Sequence, residues 1–237
     1  MSRRLAGFLA GMLCVALAAC ARDEDKVTAL FYVEQAKDAQ PEKVRMLVGA
    51  EFVRIDDGRD GNDYLLFERA SRTIYSVSSA ARQTLVIVAR ATPQASPISL
   101  VHRVDTDDAK FPSVAGQEVR HFRLLTNDKL CYDLYAARNL LPQVVAGLRE
   151  YYDALAGQQA VTLAITPKEF LTPCELANNV FAPSRHLAYG LPVRLTDANG
   201  KVSELMDFQE RVPGGERLFT LPADYPQLPI EKLRGES

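Results

Sequence analysis

From Val27 to about Ala137 the chain returns again and again to one short unit, an apolar or alternating segment closed by turn residues. The segments run Val27–Glu34, Val44–Val48, Glu51–Ile55, Tyr64–Glu68, Thr73–Ser78, Thr84–Ala89, Leu100–Val104, Val119–Leu125 and Leu130–Ala136. They are rich in Val, Ile, Leu, Tyr and Thr, and their length of ~4–8 residues is that of strands. Between them lie Val48-Gly49-Ala50, Asp57-Gly58-Arg59-Asp60-Gly61-Asn62 and Ser78-Ser79-Ala80-Ala81, all suited to hairpin turns. Strands this close together in sequence cannot be joined by helical crossovers. The spacing therefore predicts an antiparallel meander.

The periodicity then switches. Leu140, Val144, Val145, Leu148, Tyr151, Tyr152 and Leu155 recur at helical spacing, with Gln143, Arg149, Glu150 and Asp153 on the other side. Pro142 suits the first turn of this helix and Gly157 its end. Thr166-Pro167 reads as the start of a shorter helix, interrupted by Pro173 and resumed through Glu175–Val180. Strands return at Leu191–Thr196, Val202–Phe208 and Leu218–Leu221, with Asn199-Gly200 as a hairpin signal. Pro222 to Pro229 should run extended along the surface. There are no internal repeats and no long linker. The fold class expected is α+β, a twisted antiparallel sheet with helices packed on one face, in a single domain over residues 27–237.

The N-terminus is of another kind. Arg3 and Arg4 precede an apolar run from Leu5 to Ala16, and small residues follow, which is the layout of a secretory signal. The run falls short of the ~20 residues that span a bilayer. Leu17-Ala18-Ala19-Cys20 resembles the lipobox of bacterial lipoproteins. That resemblance implies a signal peptide over residues 1–19 cut after Ala19. It also implies diacylglycerol on the Cys20 sulfur, an acylated amino group, and a tether over residues 20–26. Two or more acyl chains anchor a protein stably. Enteric lipoproteins retained in the inner membrane tend to carry Asp after the cysteine. Ala21 in that place implies outer-membrane delivery, with the domain facing the periplasm.

Once Arg3 and Arg4 leave with the signal, the 28 basic residues become 26 against 30 acidic ones, a formal charge of −4. Such an even, mildly acidic balance argues against a nucleic-acid partner. Cys14 also leaves and Cys20 carries lipid, so Cys131 and Cys174 are the remaining thiols. In an oxidising envelope they are expected to form a disulfide. The alternatives are a zinc pair, for which no nearby His or Cys supplies further ligands, or a catalytic thiol.

Two stretches resemble a known family. The succession Val44-Arg45-Met46-Leu47-Val48, Phe52-Val53-Arg54-Ile55, Leu65-Leu66-Phe67-Glu68 and Arg72-Thr73-Ile74-Tyr75-Ser76-Val77 is similar to the opening hairpins of the LolA/LolB-like superfamily of periplasmic lipoprotein carriers. So is Gly190-Leu191-Pro192-Val193 before the Asn199-Gly200 hairpin, closing in Leu218-Phe219-Thr220-Leu221-Pro222-Ala223-Asp224-Tyr225. The resemblance implies an incompletely closed β-barrel, with helices lidding an apolar concavity that binds acyl chains or lipoproteins. The chain departs from the carriers in having no Trp and in adding the Cys131/Cys174 pair with its helical insertion.

The candidate chemistry is sparse. His102, His121 and His186 are the only histidines. His102 and His121 sit in neighbouring strands, where they could face each other, and a metal pair would want Asp105 or Asp133 beside them. Asp56, Asp57, Asp60, Asn62 and Asp63 superficially suggest calcium, but Gly58 falls on a ligand position and Phe67 on the twelfth, so a solvated turn is expected. No nucleophile elbow, phosphate loop or dinucleotide fingerprint appears, and a hydrolase would have to draw on His121 or His186. Tyr132, Tyr135, Tyr151 and Tyr152 crowd the strand-to-helix junction.

The function expected is therefore non-enzymatic, with no catalytic residue, metal or cofactor. An apolar ligand, an acyl chain or a lipoprotein, would sit in the concavity against Leu66, Ile74, Val86 and Leu134 with Tyr132 and Tyr151. The helix Val144–Leu155 would be its plug or lid. The competing expectation is an interaction module with a filled concavity that docks onto an envelope protein.

Overall fold

Alternation of buried and exposed residues sets nearly every strand where the sequence places it. The computed structural model describes residues 26–59, 61–167, 171–213 and 215–234. Residues 1–25, which include the expected signal segment and Cys20, lie outside the described residues, as does Asp60. The strands are β1 (Thr28–Gln35), β2 (Glu42–Val48), β3 (Phe52–Asp56), β4 (Tyr64–Glu68), β5 (Thr73–Ser78), β6 (Gln83–Val88), β7 (His102–Thr106), β8 (Val119–Thr126), β9 (Lys129–Ala137), β10 (Leu191–Asp197), β11 (Val202–Gln209) and β12 (Gln227–Pro229). All twelve join one sheet in the order β12-β6-β5-β4-β3-β2-β1-β11-β10-β9-β8-β7. Every pairing is antiparallel except that of β12 with β6. The order is linear, so the sheet is open, with β12 and β7 at its edges.

An open sheet need not be flat, and this one is not. Ile87 of β6 and Val119 of β8 belong to the same buried cluster, although nine strand spacings separate their strands in the order above. At ~4.8 Å per spacing, a flat sheet would hold them more than 40 Å apart. The sheet curls about the helical residues 142–181, whose first helix packs on β2, β3 and β5 and whose later turn at Pro173–Leu176 packs on β8 and β9, and bulges at Phe31/Tyr32, Leu124/Leu125 and Pro192/Arg194 bend it.

What fills the curl is α1 (Pro142–Ala164), 23 residues long. Its Val144, Leu148, Tyr151 and Ala154 pack into the cluster with Leu30, Phe67, Ile74 and Leu187. Burying each of the larger side chains stabilises by roughly 1.5–3 kcal/mol. No described helix is long and apolar enough to cross a membrane. α2 (Pro173–Leu176), a π-helical turn (Ala177–Phe181) and a 3-10 turn (Arg185–Tyr189) follow, packed against α1, β9 and β10.

Three local expectations need correction. Gly157 does not end α1 but lies inside it, because a Cβ there would sit 2.0 Å from the Arg90 carbonyl oxygen. The glycine is a close approach, not a stop. Thr166 and Pro167 do not start a helix, residues 168–170 of that expected helix lie outside the described residues, and Pro173 does not interrupt a helix but begins one. Thr172 is its N-cap, accepting from the Glu175 amide while the Glu175 carboxylate accepts from the Thr172 amide. Leu218–Leu221 is not a strand, since residues Gly215–Phe219 form a 3-10 turn. The segment crosses the back of the sheet, where Arg54 donates to the Leu218 carbonyl at 2.7 Å and the Tyr64 hydroxyl to the Thr220 carbonyl at 2.8 Å. Side chains take up backbone acceptors that a ladder would otherwise satisfy.

Candidate functional site

Leu66, Ile74, Val86, Leu134, Tyr132 and Tyr151 do not share one wall. Phe67 pairs with Ile74 and Ile74 with Ile87, while Leu66 pairs with Tyr75 and Tyr75 with Val86. Neighbours across a ladder share a face, so Ile74 points at α1 and both Leu66 and Val86 point away from it. Leu66 is covered on that far face by Phe219, Leu221 and Tyr225. Tyr151 lies in the main cluster with Ile74, edge-on to Phe67. Leu134 belongs to a separate cluster with Phe122 and Leu124, against which Tyr132 and Tyr189 pack. The physical reason is the two-residue period: choosing apolar positions without the register mixes the two faces.

The histidines are likewise apart. His102 lies opposite Thr126, whereas His121 lies opposite Tyr135, so they do not face each other. His121 Nδ1 is 2.6 Å from Asp107 and Nε2 2.5 Å from Asp133. The carboxylates flank the ring from both sides instead of converging on one point. His186 is enclosed between Tyr132 and Tyr152, with ring centroids 5.3 and 5.1 Å away. Its Nδ1 has no partner, and burial, reinforced by Arg185, pushes its pKa down to about 4. It is a neutral core histidine at ordinary pH. Burial pushes the Tyr152 hydroxyl up to about 12. Among the described residues no group of three potential ligands gathers for a metal. The acidic turn is tied up internally: Asp57 accepts from Arg59 and Asn62, and Asp63 from Ser79.

An opening does exist, at a place the sequence did not single out. β6 and β7 are consecutive in the chain but lie near opposite edges of the sheet, so residues 89–101 must cross the gap between those edges. Pro93 and Pro97 keep this strap from forming a helix. Beneath it is a groove of about 230 Å³ lined by Pro93, Pro97, Ala160, Leu163, Leu176 and Phe181, among others. The α1 side of the groove comes from the last turns of that helix, the opposite side from α2 and the π-helical turn. The Cys131–Cys174 disulfide, with Cα atoms 5.1 Å apart, fixes α2 to β9. Ile98 on the strap and Ile165 just past α1 remain exposed, at 40% and 84%. None of the six residues singled out from the sequence lines this groove. The one sequence signal for it was the pair of prolines between two strands.

No family model matches the sequence, and no curated protein matches it. Solved structures that superpose on it do so loosely. An uncharacterised conserved protein from Thermus thermophilus has a TM-score of 0.45 at 8% identity, over 86% of this chain and 91% of that one. PNGF-II has 0.41 at 6% identity, over 88% of this chain and 32% of that one. The LolA superfamily protein NE2245 from Nitrosomonas europaea has 0.29 at 12% identity, over 84% and 91%. The last bears the name of the superfamily whose opening hairpins the sequence resembles.

Proposed function

We propose that this chain is a non-enzymatic envelope lipoprotein, anchored through Cys20 in the outer membrane and facing the periplasm, that takes an apolar chain into the groove under the residue 89–101 strap. The observation that carries this reading is the groove itself. It lies at the open side of the curled sheet, its wall is apolar, and one side is pinned by a disulfide. Ligand sites are usually concave and mostly apolar, with few polar groups. The volume suits part of an acyl chain, from a lipid or from another lipoprotein. α1 then acts as a fixed plug, and the strap is the element that moves.

A second reading is favoured by a different observation. Val144, Leu148, Tyr151 and Ala154 of α1 occupy the curl of the sheet, as they would in an interaction module that docks onto an envelope protein and binds no lipid.

Native mass spectrometry separates the two. The wild-type protein should carry a mass of fatty-acid or phospholipid size that is released on denaturation, and Ala160→Trp, which fills the groove, should lose it. A clean apo mass after incubation with envelope lipids would favour the interaction module.

A further inference from the structure

The two edges of the sheet are finished differently. β12 covers β6 with only three residues, ends in Pro229 and runs straight into a 3-10 turn (Ile230–Arg234). Proline has no N–H to offer a further strand. β7 carries neither a proline nor a bulge, and its residues are exposed apart from half-buried Asp105. Its backbone divides between two sides. Val101, just before the strand, accepts from the Asn127 amide at 2.9 Å and donates to the Asn127 side-chain oxygen at 2.8 Å, so both its polar groups turn toward β8. In an antiparallel ladder that orientation recurs at every second residue. Arg103 and Asp105, opposite Leu125 and Arg123, therefore bond to β8, while His102, Val104 and Thr106 turn N–H and C=O outward. Among the described residues no backbone bond from outside the β7–β8 ladder meets those outward groups.

An edge of this kind is a template for another strand, and the sequence of β7 is complementary to itself. Arg103 and Asp105 stand symmetrically about Val104. Antiparallel pairing of two copies centred on Val104 sets the outward groups of His102, Val104 and Thr106 against those of Thr106, Val104 and His102. It also sets each Arg103 directly across from an Asp105. Opposite charges across a ladder stabilise it and like charges oppose it. The neighbouring registers that still match outward groups are centred on Arg103 or on Asp105, and they put arginine on arginine or aspartate on aspartate. Within one copy Arg103 already bonds Asp105 at 2.5 Å, so the four side chains of a pair form a square of alternating charge. The other charged groups nearby do not upset this balance. Asp107 is held by His121 at 2.6 Å, Asp128 lies 3.7 Å from Arg103, and Arg123 lies 3.4 Å from Asp105. Arg185 is taken up by His102, Thr126 and Asn178, and Asp108 and Lys129 add one charge of each sign beyond the paired residues. We infer that two copies of this chain associate through β7, antiparallel and centred on Val104, so that the open sheet of one continues into that of the other. The contact is isologous and closes as a two-fold dimer. Its small size makes the dimer a weak one, and it forms whether or not the groove under the strap holds a ligand.

The test is disulfide trapping with the full-length protein under mild oxidation, which captures a weak dimer. Cys131 and Cys174 are already joined, and the wild type gives the background from any other thiol. Val104→Cys should cross-link into a dimer, because directly opposed, hydrogen-bonded residues lie ~5.5 Å apart between Cα atoms, within reach of a disulfide. Thr106→Cys should stay at the wild-type background, since its counterpart lies four residues further along, about 14 Å at ~3.4 Å per residue. Arg103→Asp added to Val104→Cys should lower the yield roughly tenfold by opposing like charges at both positions, and so should Asp105→Arg. Mixing those two proteins should restore the yield, because each then meets opposite charges in its partner. Melting temperatures that match Val104→Cys show that the charge variants fold. A yield at position 104 no higher than at 106 overturns the dimer. So does a yield indifferent to the charge reversals, or a loss that mixing fails to restore.

Discussion

His121 lies between two carboxylates, Asp107 just after β7 and Asp133 on β9, with a hydrogen bond to each ring nitrogen. Two ionised carboxylates on opposite ring nitrogens require both nitrogens to donate, so the arrangement holds an imidazolium. Tyr135 stacks on the ring at 4.5 Å and Phe111 meets it edge-on at 6.2 Å. Arg123 approaches Asp105 at 3.4 Å and also favours the charged form of Asp107. Arg194 of β10 is in register with Tyr135. The cluster buttons the connection between β7 and β8 onto the face of β8 and β9 opposite the Arg185–Tyr189 turn.

That button has a pH window. Burial on its own pulls the His121 pKa down, and the hydrogen bonds and charges of Asp107 and Asp133 outweigh it, leaving it raised above 6.5. A raised folded-state value means that the contribution is complete below about pH 6.5 and is lost as pH rises through the folded value. Hydrogen exchange in residues 107–118, corrected for intrinsic rates, should therefore quicken between about pH 6 and pH 9. His121→Phe should be fast at both. Protection that does not vary with pH in the wild type would sink the idea.

Asp56 is the second polar centre that stability depends on. Its side chain is fully buried and accepts from Arg45 at 2.8 and 2.9 Å, from Arg54 at 2.6 Å and from the Gly58 amide at 2.9 Å. Arg54 also lies over the Tyr64 ring at 3.8 Å. Removing one partner of a buried pair leaves the other charge uncompensated, so Asp56→Ala should lose about 3–5 kcal/mol in urea unfolding. Asp56→Asn should lose less. Burial raises the Asp56 pKa, but the hydrogen bonds from Arg45, Arg54 and Gly58 bring it below 3.8. Its contribution is thus present above that value and disappears as pH falls through the lowered one. An Asp56→Ala protein as stable as wild type would show that the arginines find other partners.

The disulfide joins residues 43 apart in sequence. Closing a loop of this size typically stabilises by ~2–4 kcal/mol, which for a chain of this length is a melting shift on the order of 10 °C. Cys174→Ser should melt lower by that much, and reduction of the wild type should reproduce the shift. Unchanged melting under oxidising conditions would mean that the two sulfurs are not joined in solution.

Gly157→Ala sets two effects against each other. Alanine is the better helix former by about 1 kcal/mol, but its Cβ would meet the Arg90 carbonyl at 2.0 Å, a backbone atom that cannot rotate aside. The clash should win, with a net loss of about 1–3 kcal/mol by chemical denaturation. A stabilised Gly157→Ala would mean that α1 and the strap do not touch there.

The strands from Val27 to Phe208 were legible because a half-buried strand writes its own period of two into the sequence, and the observed bounds differ from the expected ones by no more than two residues. Cys131 and Cys174 were legible by elimination. Asp107 as a partner of His121 was not, because it sits on a connection with no periodic pattern. The Leu218–Leu221 segment misled for a related reason. Its apolar residues do pack on the sheet, but across its back through Phe219 and Leu221 and not as a strand within it.

Read alone, the sequence determined the meander, the long helix after Ala137, the Asn199-Gly200 hairpin and the lipobox-like start, all of which are local patterns. Only the tertiary structure decided which edges the sheet leaves open and where a ligand could enter. Those depend on the pairing of β1 with β11, which joins residues as far apart as Ala29 and Gln209, and on the curl that brings Ile87 and Val119 into one core. No residue pattern within a strand encodes its distant neighbour. That choice is made by the collective burial of apolar faces around α1.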